Sequence, residues 1–255
     1  MLNRILFAAL VAGIVGGLAT AMLQHFTTTP LIVAAEFYEG GDAGTAAPAR
    51  LDAPAFGGAR LVLVHEHGDH AEGGEASGSG GWAPADGIER TLYTSISTIG
   101  TAFGFALILL SAMILANARI TARSGLLWGV AGFVAAGLAP ALGLSPELPG
   151  SAAADLGARQ LWWLGTAVAT AAGLWLALRV STRPAIAGGI ALMILPHLVG
   201  APHPEAFTST VPSELSGHFA AASLVVLAVV WVLAGTLAGY VWQRGEAKQA
   251  AAAAA

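Results

Sequence analysis

The chain has 255 residues, 56% of them hydrophobic and only 10% charged, with a formal net charge of −4. An ordinary soluble domain carries about 25% charged residues, so the composition points to an integral membrane protein, and no nucleic-acid partner is expected. There is no cysteine, which excludes disulfides, thiolate metal sites and a cysteine nucleophile.

A helix needs about 20 mostly apolar residues to cross the bilayer core. Six stretches qualify: 5–24, 92–116, 125–142, 160–178, 186–199 and 219–242. The first has a second reading as a secretory signal, since Arg4 precedes it and Ala19, Thr20 and Ala21 resemble a cleavage site. The apolar character continues through Met22 and Leu23, which favours an uncleaved span. The fifth is the shortest and contains Pro196. The expected fold is therefore an all-α bundle of about six transmembrane helices. Its divisions are a first helix at 1–26, an extracytoplasmic loop at 27–91, a membrane bundle at 92–242 and a cytoplasmic tail at 243–255.

Basic residues fix the orientation. Arg4, Arg119, Arg123, Arg179, Arg183, Arg244 and Lys248 fall on one side if the N-terminus is inside. Arg50, Arg60, Arg90 and Arg159 fall on the other, diluted in a long loop or beside acids. Both termini are thus expected in the cytoplasm, with the chain multi-pass in the inner membrane. All seven histidines then lie outside or in the outer part of a helix, where an acidic, imidazole-rich face attracts cations.

The outer segment from about 26 to 91 is rich in Gly, Ala, Ser and Pro, which predicts little fixed structure beyond a possible strand at 59–64. The motif "LVHEHGDH" (63–70) runs on from the end of that strand and offers His65, Glu66, His67, Asp69 and His70. Three imidazoles within six residues match the ligand preferences of Co, Ni, Zn or Cu(II), although a polar loop of this kind can also be incidental. A Gly/Ser tether, "GGEASGSGG", follows and would let the cluster visit the mouth of the bundle.

Within the spans, Gly13/Gly17, Gly100/Gly104, Gly125/Gly129 and Gly235/Gly239 recur at four-residue spacing, which lets helix backbones approach closely. Packing inside the chain is the preferred use, homodimerisation the alternative. An acid precedes a base by four residues in "ADGIERTLY", "ADLGARQLW" and "SELSGHFAA": Asp86 and Arg90, Asp155 and Arg159, Glu214 and His218. Ordinary helix-end electrostatics accounts for this. A true repeat accounts for it equally and would make three parallel helical hairpins around a central path.

In "LPHLVGAPHPE" (195–205), Pro196 frees the carbonyl of Leu192 and places His197 at membrane depth. Ionisable residues there are functional candidates, although a structural histidine bonded to a neighbouring helix is the plainer account of one alone. His25 and His218 at similar depth argue for a shared site, with His203 and Glu205 just above it. Gln24, Gln160 and the Leu192 carbonyl are further oxygen donors. A P-loop, HExxH and GxSxG are missing, and the only lysine is Lys248, so an enzyme is not expected. A divalent cation gains about 4.6 kcal/mol across 100 mV, which can itself drive entry.

The motifs "LVHEHGDH", "WAPADGIERTLYT", "APALGLSPELPG", "ADLGARQLWW", "LPHLVGAPHPE" and "VPSELSGHFA", in this order, resemble the CbtA family of predicted cobalt transporter subunits in bacterial membranes. The resemblance implies uptake of cobalt, the metal of cobalamin, with no tightly bound cofactor and Co²⁺ (or Ni²⁺ or Zn²⁺) as cargo. It also implies a small single-span partner, CbtB, bearing a terminal His motif. Carried over by motif, the metal residues are His65, His67, His70, His197, His203 and His218; His25 rests on topology alone. A haem-ligating membrane redox protein and a metal-binding accessory or sensor without its own path are the alternative readings.

Overall fold

The computed structural model describes residues 1–39, 84–85, 87–206 and 208–254, and every regular element among them is helical. The expected strand at 59–64 and the cluster His65, Glu66, His67, Asp69 and His70 lie outside the described residues.

In chain order the helices are α1 (Leu2–Phe26), α2 (Thr28–Glu39), α3 (Ile88–Leu115), α4 (Ala122–Ala141), α5 (Leu156–Val180), α6 (Arg183–Val199) and α7 (Ser213–Ala254). Five of these are long and apolar enough to cross a membrane; α6, with 17 residues, is shorter. Seventeen residues rise about 26 Å, just under a hydrocarbon core of about 30 Å. Local chemistry sets the limits of α6. Thr182 caps its start through Ala185 N, Pro184 occupies the first turn, where proline is tolerated, and Gly200 ends it with φ 87°.

Residues 28–39 correct the sequence reading, which assigned them to the loop. They form α2, directly after α1. The run Thr27-Thr28-Thr29-Pro30 looks like a break, but Pro30 stands in the first turn, where its missing N–H costs nothing. Ala35 is then buried with Leu148, Val211 and Leu215. Glu36 is gripped through two contacts by Arg90 of α3, Nη1 to Oε1 at 2.8 Å and Nη2 to Oε2 at 3.0 Å.

The core is built from α1, α3, α4 and α7. Its centre is small and tightly spaced: Ala8, Ala9, Ala12, Ala106, Ala234 and Ala238 are fully buried. Lipid tails are as apolar as side chains, so such helices associate through close packing rather than through a hydrophobic driving force. Gly13 faces Phe103, where an added Cβ would lie 2.7 Å from the Phe103 Cβ. Gly125 and Gly235 meet backbone to backbone across α4 and α7. Three of the four glycine pairs therefore serve internal packing as expected. Gly100 and Gly104 differ, since a Cβ at either would meet nothing within 4 Å.

The pairing of spans departs from three successive hairpins. Helix α1 packs on α3, but α4 packs along α7, and α6 packs on α5. The third hairpin that a repeat would require, from the fifth and sixth spans, is not a packed pair among the described residues. Asp155 caps α5, its Oδ1 accepting from Ala158 N at 2.9 Å, while Arg159 reaches Glu147 at 2.6 Å. At this position the acid and base follow helix-end chemistry.

Helices α4 and α5 each contain one π-helical stretch, Val134–Leu138 and Leu176–Val180. The first precedes Pro140, which cannot donate to the ladder, and Ala139 N–H bonds back to the Val134 carbonyl.

The two ends of the bundle differ chemically. At one, Arg4 Nη2 donates to the Trp242 carbonyl at 2.7 Å and pairs with Glu246 at 3.2 Å. At the same end Arg179 Nη2 donates to the Ala116 carbonyl at 2.6 Å, and Arg119 and Arg123 flank the start of α4. The described basic residues of the expected inner side thus gather at one end. The opposite end carries α2, the Arg159–Glu147 pair and all the described histidines.

Candidate functional site

Four histidines fall among the described residues, and helix direction puts each at the end opposite Arg4. His25 is in the last turn of α1, exposed, with its ring edge-on to Phe26 at 5.2 Å between centroids. His197 is half-buried in the last turn of α6, edge-on to Trp162 of α5 at 5.8 Å. His218 is exposed in the second turn of α7, and His203 and Glu205 are exposed in the segment between α6 and α7.

Pro196 shapes the surroundings of His197. Its carbonyl accepts from Trp162 Nε1 at 3.3 Å and from Gly200 N at 3.0 Å, so the end of α6 is stitched to α5. His197 therefore sits on the α5–α6 pair, away from the four-helix core. Gln24, by contrast, belongs to that core: its Oε1 accepts from Thr98 Oγ1 at 2.7 Å across α1 and α3.

Sequence reasoning places His25, His197 and His218 in one shared site. Among the described residues, no three His, Asp or Glu side chains come together as a metal-holding group. What the structure does gather is a cavity of about 610 Å³ at the histidine end, whose wall includes Asp155, His203 and Glu205. Asp155 is the residue the sequence reading missed as a companion of His203. Its position four residues before Arg159 signalled a helix start, but nothing in the sequence brought the start of α5 beside the segment after α6.

Two acids and one imidazole line this cavity, residue types that a hard or borderline divalent cation accepts, but they do not close into a three-ligand group. Its volume accommodates an ion with water still attached. Asp155 Oδ1 already accepts the Ala158 N–H, so it offers mainly its second oxygen.

A second cleft, about 570 Å³, opens between α4, α5 and α7. Gln160 lines it, with Glu147 and Arg159 at its polar end. Most of its wall is aliphatic, including Ala136, Leu164, Leu224 and Leu227.

No curated protein and no solved structure matches the chain. The family model described as "Probable cobalt transporter subunit (CbtA)" matches residues 2–243. With apolar helices able to cross a membrane, that match over nearly the whole length makes this chain a multi-pass membrane protein that belongs to the CbtA family of probable cobalt transporter subunits.

Proposed function

We propose that the chain takes up a divalent transition metal, Co²⁺ foremost, capturing it on an extracytoplasmic loop and passing it through the bundle toward the cytoplasm. His65, His67 and His70, with Glu66 and Asp69, make the first capture. The cavity walled by Asp155, His203 and Glu205 receives the ion next, and His218, His197 and His25 offer further nitrogen donors at the same end of the bundle. The observation that carries the reading is the family match across residues 2–243. The gathering of the described histidines at the end opposite the basic residues supports its direction. In this reading the termini face the cytoplasm, the bilayer is the inner membrane, and a small single-span protein with its own histidines is the partner.

Imidazole binds metal only when neutral, so the sign of the pH effect follows directly. An imidazole at the reference pKa of about 6.5 is about 90% neutral at pH 7.5 and about 3% neutral at pH 5, roughly a 30-fold loss per nitrogen ligand. Radioactive cobalt uptake into liposomes containing the full chain, with and without the small partner and under an inside-negative potential, tests this. Potential-dependent uptake that falls at least tenfold between about pH 7.5 and pH 5 is expected. Uptake indifferent to pH would remove imidazole from the path. No uptake under either condition would make the chain an accessory, and a haem absorption band in the purified protein would turn the reading toward redox chemistry.

A further inference from the structure

The cleft between α4, α5 and α7 has a different chemistry from the histidine sites. We propose that it holds a phospholipid bearing a primary ammonium group, its phosphate on Arg159, its ammonium on Glu147 and an acyl chain in the groove.

The walls argue for a hydrocarbon occupant. Ala136, Gly137, Pro140, Leu164, Leu224 and Leu227 make the wall mostly aliphatic, and a volume of about 570 Å³ lies within the range of ligand pockets, roughly 300 to 1,000 Å³. The groove opens at the side of the bundle rather than into the core, since Leu156, Trp163 and Leu164 in its wall are 63%, 41% and 54% exposed, and on a membrane-spanning bundle that side meets lipid. From Leu156 to Leu164 the wall descends about 12 Å at about 1.5 Å per residue. Its upper end is the start of α5, where the apolar span begins and a headgroup would lie.

That boundary carries the specificity. Arg159 Nη2 and Glu147 Oε2 lie 2.6 Å apart, and each side chain is 27% exposed. One such contact leaves the second carboxylate oxygen and most of the five guanidinium N–H groups open to a ligand. An anionic headgroup would meet Arg159 favourably and Glu147 unfavourably. A headgroup with adjoining phosphate and ammonium satisfies both, and only an ammonium with N–H donors can hydrogen-bond the carboxylate. A choline headgroup carries the same charges without those donors.

The test uses the full chain in nanodiscs of equal parts phosphatidylethanolamine, phosphatidylcholine and phosphatidylglycerol, with retained lipid identified by native mass spectrometry. Phosphatidylethanolamine retained roughly five- to tenfold over the other two is expected, the effect of charge-assisted hydrogen bonds at a partly exposed site. Glu147→Gln should remove the preference over phosphatidylcholine, and Arg159→Gln should lower retention of all three. Because the wild-type comparison needs no variant, misfolding of either variant leaves the test intact. Equal retention of phosphatidylcholine, a preference for phosphatidylglycerol, absence of retained lipid, or a second copy of the chain in its place would each overturn the proposal. None of these outcomes bears on cobalt uptake.

Discussion

Replacing His65, His67 and His70 together by Ala is expected to weaken Co²⁺ binding to the purified full chain on the order of 100-fold, about 2.7 kcal/mol. The magnitude follows from removing three nitrogen donors while leaving Glu66 and Asp69, since carboxylates alone hold a borderline metal less well than imidazole does. Isothermal titration of wild type and variant with Co²⁺, Ni²⁺ and Zn²⁺ measures the loss and ranks the metals. Unchanged titrations would show that the loop is a solvated polar segment without a capture role. Ala variants of His203 and Glu205 should leave the first, tight phase intact and reduce a weaker second phase, because the cavity they line comes later on the proposed route.

The second large effect concerns the packing that holds the bundle together. Gly125→Leu is expected to abolish stable assembly of the four-helix core, because any Cβ there runs into the backbone of Gly235. Overpacking typically costs about 1 to 3 kcal/mol when side chains can yield; here the obstacle is backbone, and the helices must separate. Gly100→Leu makes the same chemical change on the same kind of helix, yet its Cβ meets open space. It should leave thermal stability unchanged or slightly raised, through the helix propensity gained over glycine, about 1 kcal/mol at most. Thermal unfolding of both variants in one detergent checks the contrast. Equal losses at the two positions would contradict the arrangement of α4 against α7.

The contrast also shows what a sequence can and cannot convey. The spacing of Gly125/Gly129 and Gly235/Gly239 announces close helix contact, and the structure joins these two pairs to each other across α4 and α7. The spacing carries no information about partners, so Gly100/Gly104 reads identically and faces outward. Apolar runs located the helices well, five of them long enough to cross a membrane against six expected, because twenty residues without charge have few other uses in a chain of this composition. They carried less about the pairing. Successive hairpins were one of two readings of equal weight, and α4 lies along α7, which sits far from it in sequence.

At the site, residue types were legible and companionship was not. His203 and Glu205 could be marked as donors from "LPHLVGAPHPE" alone. Asp155 joins their cavity only because α5 and α6 pack together and bring the start of one beside the exit of the other. His197 and His218 share an end of the bundle, but the sequence could not tell that one rides on the α5–α6 pair and the other on α7. Helix α2 was hidden by three threonines and a proline whose position in the first turn makes it harmless.

The direction of metal movement rests on which face of the membrane bears residues 65 to 70, and the natural lack of cysteine makes that directly measurable. A single His67→Cys substitution in cells expressing the full chain can be probed with a membrane-impermeant maleimide, with Ser181→Cys at the Arg179 end as the opposing control. The account predicts that position 67 reacts once the outer membrane is breached and that position 181 reacts only after the inner membrane is opened. The reverse pattern, with position 67 protected until the cytosol is exposed, would contradict uptake by this route.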